Sequence, residues 1–381
     1  MTKKSKSAKR RRQASGVFTL FSKSKNTQKA DFILLFTVFI LTIFGLIMVY
    51  NASIVEASQN FADRFYYLRY QGAYFILGWI GLILAGHIDY HVYKKIIRYL
   101  FIVNIILLIM VFIPGISPKI YGARRWIDLG PITFQPTEPF KTILVVYLAT
   151  WLEHKRTVIQ FFALLVVVVG LVMLQPDLGT SIVLVASSFL VYYISGAPVV
   201  KFALSTMAAM LTGLLLILAS PYRRQRLLTF IDSKADPQGT SYHIQQILIA
   251  LGSGGIFGLG IGQSKQKYQY LPEATSDSIF AIIGEEVGFV GATILICFYM
   301  VIIWKGFQIA QRAPDMFGRL LATGITGWIG IQVFVNLSSM VSLAPLTGIP
   351  LPLMSYGGTS LVVTLVSIGI LLNISKQRVK N

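Results

Sequence analysis

Long apolar runs, separated by short polar segments, recur along the 381-residue chain. A helix needs about 20 apolar residues to cross a hydrocarbon core about 30 Å thick. Only 13% of the residues are charged, against about 25% in a soluble domain, which excludes a soluble enzyme. The sequence therefore predicts an all-α, polytopic membrane protein. Its ten transmembrane helices are expected near residues 32–50, 70–88, 99–114, 137–153, 158–175, 180–197, 202–220, 279–304, 320–342 and 357–374.

Basic residues indicate which ends of these helices face the cytoplasm. The first 30 residues contain ten Lys or Arg and no acid, which is typical of a disordered cationic tail that stays inside. An even number of spans places both termini there, and twelve further basic residues in short inner segments bring the inner total to 22 of 34. We expect a tail at 1–30, a membrane domain at 31–375 and a cytoplasmic tail at 376–381. The net charge of +19 favours anionic membrane lipids over nucleic acid.

The other basic residues lie mostly in two segments on the predicted outer side, 115–136 and 221–278. The second is a large extracellular loop between the seventh and eighth helices, and a loop of that length is usually functional. Its glycine-rich stretch GSGGIFGLGIG at 252–262 favours backbone flexibility or close helix packing over a phosphate cradle. The sequence has no P-loop and no HExxH motif, and we predict no metal site from the residues.

Acidic residues in or beside the membrane are informative, because a carboxylate in hydrocarbon is costly and rarely neutral to function. Asp277 lies where a polar connection enters the eighth span. Two roles fit it: a cap of that helix, or a partly desolvated base that accepts a proton from a substrate hydroxyl. For the adjacent Glu285 and Glu286 we expect structural hydrogen bonds.

Three further polar side chains belong to the predicted spans. Glu138 and Lys141 are three residues apart and share a helix face. They are expected to form an intramembrane ion pair or to line a substrate groove. Asp177 follows Pro176 at the start of the sixth span, where a carboxylate either complements the helix N-terminus or belongs to a site.

Outer cations form a candidate phosphate site. Arg124 and Arg125 precede Trp126, Arg223 lies in the large loop, and Lys265 is near two tyrosines. Guanidinium groups bind phosphate oxygens bidentately, and aromatic rings hold such a site at the level of the lipid head groups. Both ordinary anionic lipid and a polyprenyl diphosphate substrate fit this chemistry.

These residues stand in segments that resemble the SEDS family (shape, elongation, division and sporulation) of RodA and FtsW membrane proteins. The segments are GARRWIDLGPITFQPTEPFK, QPDLGT, the stretch from GTSYHIQQ to IIGEEVGFVG, and PLTGIPLPLMSYGGTSLV. The resemblance implies a ten-helix fold and a peptidoglycan glycosyltransferase that polymerises lipid II at the outer face of the bacterial cytoplasmic membrane. The basic tail and LPEATSDSIFAIIGEEVGFVG are more similar to the FtsW, or division, branch than to the elongation-type RodA branch.

The resemblance also implies a mechanism. The family's catalytic aspartate maps onto Asp277, although Thr275 and Ser276 stand where the family usually has His and Thr, and Ser278 stands in place of its Phe. Asp277 would take the proton from the 4-hydroxyl of one lipid-linked disaccharide. The oxygen would then attack the anomeric carbon of a second and expel undecaprenyl diphosphate.

Other residues are expected to bind the substrate. Arg124, Arg125, Arg223 and, more weakly, Lys265 would stabilise the charge on the departing diphosphate, and a divalent cation, Mg²⁺ or Mn²⁺, is a further candidate for that task. The last matching segment places Ser355, Gly357 and Gly358 in a loop before the last span, where they would shape the substrate groove or only form the helix entry.

Partners and rival functions follow from the same resemblance. Family members work with a class B penicillin-binding transpeptidase among the division proteins. One rival is a lipid flippase or secondary transporter, with a polar path that comprises Glu138, Lys141, Asp177 and Glu286. Another is a scaffold that only binds a division partner.

Overall fold

The computed structural model describes residues 28–119, 123–130, 133–154, 157–219, 224 and 240–378. The basic tail up to residue 27, Arg223 and residues 379–381 lie outside these ranges, as does most of the segment from 220 to 239. Predictions made for those residues stay predictions.

Eleven helices and one short hairpin form the described part of the chain. The hairpin pairs β1 (Ile127–Asp128) with β2 (Thr133–Phe134) in antiparallel register. The helices are α1 (Phe32–Phe61), α2 (Tyr66–His87), α3 (His91–Met110), α4 (Thr137–Trp151), α5 (Val158–Leu174), α6 (Leu178–Ile194), α7 (Val199–Ala219), α8 (Thr240–Ser253), α9 (Ile279–Gln311), α10 (Met316–Met340) and α11 (Gly358–Lys376).

Each predicted span overlaps one of these helices, although α1 continues to Phe61 and α3 begins at His91, eight residues before its predicted start. By length and composition α1, α2, α9, α10 and α11 are sufficient to cross a membrane, and shorter apolar stretches lie at Val158–Leu174, Leu178–Ile194 and Phe202–Gly213. The chain is therefore a mostly helical, integral membrane protein. The sequence did not predict α8 within the large loop, because His243, Gln245 and Gln246 interrupt its apolar pattern.

The centre of the bundle is α10, which contacts α4, α6, α9 and α11. Its indole Trp328 is among the largest fully buried side chains. At the periphery, α2 and α11 pack along small residues: a β-carbon added at Gly78 would overlap the side chain of Leu365, and one at Gly369 would overlap the carbonyl of Leu82. Small residues let membrane helices approach closely, and Asn373 Nδ2 of α11 also donates to the carbonyl of Gly86 in α2 (3.2 Å).

Both ends of the described chain meet at one end of the bundle. The N–H of Gln28 donates to the carbonyl of Lys376 (2.7 Å), and Lys305 Nζ lies 3.2 Å from Asp31 Oδ2. At the opposite end, the start of α11 contacts the loops before α4 and α9: the N–H of Gln135 lies 3.5 Å from Thr359 Oγ1, and the N–H of Tyr356 donates to the carbonyl of Thr275 (2.8 Å). Arg125 joins the loop before α4 to the loop before α6. This arrangement agrees with an even number of membrane crossings.

The loop between α10 and α11 (residues 341–357, the re-entrant loop) folds back into the bundle. The carbonyl of Pro352 accepts a hydrogen bond from Tyr299 Oη (2.5 Å), and the carbonyl of Pro350 accepts one from Gln332 Nε2 (2.8 Å). Tyr299 is 12 residues from the end of α9, about 18 Å along the helix. Irregular backbone at such depth needs partners within the protein, and these buried side chains supply them.

Candidate functional site

Asp277 lies immediately before α9 and is 9% exposed. Its carbonyl accepts a hydrogen bond from Asn336 Nδ2 (2.9 Å), which also donates to the carbonyl of Ile349 (2.8 Å). A β-carbon added at Gly348, whose φ is 69°, would lie 3.7 Å from Asp277 Oδ2. The carboxylate is therefore held between the start of α9, the centre of the bundle and the re-entrant loop.

Asp277 does not stand in the cap position of α9. The helix begins at Ile279, and Ser278 occupies that position without a side-chain cap hydrogen bond. Asp277 therefore lies one residue outside the position from which a side chain usually caps a helix, and its role as a base stays a prediction.

Ser278 connects Asp277 to α8. Its Oγ lies 3.4 Å from Asp277 Oδ1 and 2.7 Å from His243 Nε2, and its side chain is fully buried. His243 was not among the site residues predicted from the sequence, and it is 35 residues from Ser278 in the chain. The helical spacing of Ile244 and Ile247, both buried, could have indicated the helix, although not the contact.

Glu285 and Glu286, in the second turn of α9, anchor the segment that leads to Asp277. Glu285 accepts a hydrogen bond from Ser264 Oγ (2.5 Å), and Glu286 accepts one from the N–H of Ser264 (3.2 Å) and pairs with Lys267 Nζ (3.5 Å). Asn51 of α1 donates to Glu286 and accepts from Lys267 Nζ (2.8 Å). The predicted structural role of the two glutamates is confirmed.

The glycine-rich stretch packs directly against the backbone of α9. The N–H of Leu259 donates to the carbonyl of Glu285 (3.0 Å), and the N–H of Phe289 donates to the carbonyl of Gly255 (2.9 Å). This exchange is available because Gly288 has a φ of 68°, which breaks the helix there. A β-carbon added at Gly258 would overlap the carbonyl of Glu286. Close packing is therefore confirmed as the role of these glycines.

Glu138 and Lys141 form the predicted ion pair inside the bundle. Lys141 Nζ lies 2.9 Å from Glu138 Oε2 and 2.7 Å from Gln332 Oε1, and 4.9 Å from the centre of the Trp328 ring. The two charged residues are 1% and 3% exposed. Gln332 also holds the re-entrant loop, so this pair supports the floor of the site; lining of a substrate groove stays a prediction.

Asp177 and Arg125 order the loop before α6. Asp177 caps the helix, since its Oδ1 accepts from the N–H of Thr180 (3.0 Å) and its Oδ2 from Thr180 Oγ1 (2.7 Å). Arg125 donates from Nε to the carbonyl of Gln175 (3.2 Å) and from Nη2 to that of Pro176 (2.5 Å). The guanidinium of Arg125 is thus engaged by backbone, and its contact with substrate stays a prediction.

Arg124 has a different backbone partner from Arg125. Its Nη1 donates to the carbonyl of Phe112 (3.4 Å), and the residue borders a cleft of about 290 Å³ that Lys119 and Gln175 also line. Lys265 is exposed; its main-chain N–H donates to Glu285 (3.0 Å), and its carbonyl accepts from the N–H of Tyr268 (3.2 Å). Arg124 and Lys265 present positive charge at the same end of the bundle.

Ser355, Gly357 and Gly358 order the end of the re-entrant loop. Ser355 Oγ accepts from the N–H of Leu351 (2.8 Å), and the N–H of Gly357 donates to Gln71 Oε1 (3.3 Å). A β-carbon added at Gly358 would overlap the ring of Tyr74. The groove-shaping role of the three residues stays a prediction.

Tyr356 joins this loop to the segment of Asp277. Its N–H donates to the carbonyl of Thr275 (2.8 Å). Burial, together with nearby phenol and carboxyl groups, raises the pKa of Tyr356 to about 12. Its phenol is therefore neutral at physiological pH and can serve as a hydrogen-bond donor.

The described residues contain no group of three or more His, Cys, Asp or Glu side chains that could hold a metal ion. A cage made wholly of protein ligands is thus not found in that part of the chain. Mg²⁺ usually binds one or two carboxylates together with substrate phosphates, so Asp277 with a diphosphate would be compatible with it.

Comparisons with known proteins place this arrangement in context. The profile of a family of cell cycle proteins, FtsW, RodA and SpoVE, matches residues 32–380. A protein of Geobacter sp. (strain M18) named probable peptidoglycan glycosyltransferase FtsW is 39% identical over 91% of this chain and 97% of its own length. Stage V sporulation protein E of Bacillus subtilis (strain 168) is 37% identical over 93% of this chain and 98% of its own length.

Two solved structures share the fold. A chain of a peptidoglycan synthase complex that coordinates polymerization and crosslinking has a TM-score of 0.76 and 29% identity, covering 92% of this chain and 99% of that chain. The rod shape determining protein RodA of Thermus thermophilus has a TM-score of 0.67 and 28% identity, covering 92% of this chain and 98% of that chain.

Proposed function

The chain belongs to the family of FtsW, RodA and SpoVE cell cycle proteins, and we propose on that premise that it is a peptidoglycan glycosyltransferase of the FtsW type. Its substrate is lipid II, which it polymerises into glycan strands during cell division. The relative named FtsW, similar over nearly the whole chain, favours this type over an elongation polymerase.

One observation carries the proposal: a buried carboxylate, Asp277, is held at the loop end of the bundle, next to the start of α9. Asn336 fixes its backbone, Ser278 contacts one carboxylate oxygen, and a β-carbon added at Gly348 of the re-entrant loop would lie 3.7 Å from the other. A positioned carboxylate of this kind is suited to accept a proton from a substrate hydroxyl.

The reaction joins two lipid-linked disaccharides. Asp277 takes the proton of the 4-hydroxyl of the acceptor sugar, and the oxygen forms a bond to the anomeric carbon of the donor. The bond from that carbon to the diphosphate breaks, and undecaprenyl diphosphate leaves with the bonding electron pair. Asp277 then releases its proton to solvent.

Positive side chains assist the leaving group. Arg124 and Lys265 present charge at the head-group level, Arg125 orders the loop beside them, and Arg223 is assigned the same task from the sequence. Preorganised charge of this kind is often the largest contribution to catalysis. A divalent cation bound jointly by Asp277 and the diphosphate would neutralise the same charge; no step above depends on it.

Topology and partners complete the proposal. Ten crossings with both termini in the cytoplasm place Asp277 on the outer face, in agreement with the distribution of basic residues and with the meeting of both chain ends. The similar chain in the peptidoglycan synthase complex supports a crosslinking partner for this chain, a class B transpeptidase, among other division proteins.

The transporter alternative lacks an open polar path. Glu138 pairs with Lys141, Glu286 pairs with Lys267, and Asp177 caps its helix. Each of these acids is at most 5% exposed. A transporter would be expected to keep such groups in reach of substrate near the bilayer midplane.

Purified protein should polymerise fluorescent lipid II, alone or with a class B transpeptidase, and Asp277→Asn should abolish the activity. Asp63→Asn is the matched control, because Asp63 is an aspartate of the α1–α2 turn that pairs with Arg69 instead of facing the site. Addition of EDTA tests the divalent cation. If Asp277→Asn still makes glycan strands at the wild-type rate, or if the wild type only moves lipid II across vesicles, the proposal is wrong.

A further inference from the structure

Three side chains form a hydrogen-bonded chain from α8 to the carboxylate of Asp277. His243 Nε2 lies 2.7 Å from Ser278 Oγ, and Ser278 Oγ lies 3.4 Å from Asp277 Oδ1. Ser278 is fully buried, so solvent does not compete for its hydroxyl. The first of these contacts is short and the second is long. Ser278 has a single hydroxyl hydrogen, so its orientation decides to which of the two groups Ser278 donates.

A serine hydroxyl donates one hydrogen bond and accepts others. If Ser278 donates to Asp277, its oxygen can only accept from His243, so His243 Nε2 must carry a hydrogen. In the other tautomer the hydroxyl donates to the imidazole and presents only lone pairs to the carboxylate. The Nε2–H form of His243 is therefore the one that satisfies both contacts.

We propose that His243 is a positioning residue for the reaction at Asp277: its Nε2–H orients the Ser278 hydroxyl, and that hydroxyl orients the carboxylate. The inference rests on the proposed function, because it assigns His243 a role in the proton transfer to Asp277. A carboxylate fixed through Oδ1 also has a fixed direction for Oδ2, and the alignment of a base with its proton contributes to the rate.

The support for this chain is rigid at both ends. α8 packs against α9 and α10, with Ile244 and Ile247 buried. The carbonyl of Asp277 is held by Asn336 at 2.9 Å. A site built on packed helices holds its geometry better than one on a loop.

The test separates the effect of the hydrogen-bond donor of His243 from the effect of the size of its side chain. His243→Leu removes the donor, His243→Gln supplies an amide N–H near the position of Nε2, and Ser278→Ala removes the hydroxyl. Polymerisation of fluorescent lipid II is measured with the full-length protein and its transpeptidase partner. We expect His243→Leu and Ser278→Ala to lower turnover at saturating lipid II by about tenfold with little change in KM, and His243→Gln to recover most of the loss.

The double variant His243→Leu/Ser278→Ala should be no slower than Ser278→Ala alone, because His243 acts through Ser278. A merely structural histidine would give Gln and Leu variants of equal activity, or a double variant with the product of both losses, and either result overturns the inference. Thermal unfolding identifies any variant that does not fold. If His243→Leu does not fold, Ser278→Ala is compared with His243→Gln/Ser278→Ala. The inference then requires that these two variants have the same turnover.

Asp277→Asn, measured in parallel, separates this inference from the proposed function. If Asp277→Asn is inactive while the His243 and Ser278 variants turn over normally, only the positioning role fails. If Asp277→Asn polymerises lipid II normally, the proposed function fails with it.

Discussion

Asp177 and Asp277 each precede a helix at the same end of the bundle, and both are buried. Asp177 stands in the cap position of α6, and both of its carboxylate oxygens accept hydrogen bonds from Thr180. Asp277 stands one residue before the cap position of α9, which Ser278 occupies. A shift of one residue relative to the helix start therefore distinguishes an aspartate that caps its helix from one that lies in the segment leading into it.

The difference shows that burial alone does not mark a functional acid. The hydrogen bonds to Asp177 come from its own first turn, within three residues of the chain. The main-chain carbonyl of Asp277 accepts from Asn336 of α10, and its carboxylate lies 3.4 Å from Ser278 Oγ, which contacts His243 of α8. A carboxylate whose surroundings are supplied by distant elements requires those elements to be assembled, which is the arrangement expected of a positioned catalytic group.

The largest expected effect is the difference between Asn substitutions at the two positions. Asp277→Asn removes the base, and the rate of lipid II polymerisation is expected to fall about a thousandfold. Asp177→Asn keeps an oxygen that can cap the helix, so its rate per folded molecule should fall far less. Gel analysis of glycan strands measures both. Equal losses for the two variants would erase the comparison.

Glu138, a buried carboxylate with the cationic partner Lys141, extends the comparison of buried acids to the free energy of unfolding. Lys141→Met leaves Glu138 as a buried charge without its ion-pair partner, and we expect a loss of about 3–5 kcal/mol in the free energy of unfolding. Denaturant or thermal unfolding in detergent measures this loss. Glu138→Gln/Lys141→Met should restore much of the stability, and the exposed Lys265→Met should change it little. A negligible effect of Lys141→Met would show that Glu138 does not depend on the pair.

Much of the fold could be predicted from the sequence because membrane-spanning helices correspond to long runs of apolar residues. Ten helices were located this way, and the Glu138–Lys141 pair followed from a spacing of three residues on one face. Both signals are local. The resemblance to a known family then directed attention to Asp277, which hydropathy alone left as a cap or a base.

The rest of the site depends on contacts between distant segments. His243 and Ser278 are 35 residues apart, and Asn336 is 59 residues from Asp277. The sequence equally gives no sign that Arg124 and Arg125 have different partners: Arg124 donates to the carbonyl of Phe112, and Arg125 donates to those of Gln175 and Pro176. The re-entrant loop was not predicted either, since its depth is set by Tyr299 and not by its own composition.

The cap itself provides a smaller test. Asp177→Ala removes both acceptors for Thr180, and we expect a loss of about 1 kcal/mol in the free energy of unfolding. Asp177→Asn should recover most of it. Thermal unfolding of both variants measures the difference. If Asp177→Ala is as stable as the wild type while lipid II binding is weakened, the role of Asp177 lies in the substrate site and not in the helix.

The smallest effect concerns a cap at the other end of the bundle. Asp315 caps α10 through Gly318 (2.9 Å) and also contacts Tyr90 and His91. Burial raises the pKa of Asp315, but hydrogen bonds from Tyr90, Gly318 and His91 outweigh it, and the pKa is lowered overall. A carboxyl whose folded pKa is lowered stabilises the fold above its unfolded pKa of about 4 and loses that contribution as the pH falls through the folded value.

In the wild type, Tm should decrease as the pH is lowered below about 4. This decrease should be smaller in Asp315→Asn and intermediate in Tyr90→Phe. Melting curves of the three proteins across this range measure the effect. Because the decrease of Tm at low pH would come from a structural cap, the rate of polymerisation at neutral pH should be nearly unchanged in Asp315→Asn. If the slope of Tm is the same in all three, the contacts of Asp315 do not stabilise its charged form, and capping aspartates in this fold are held by geometry alone.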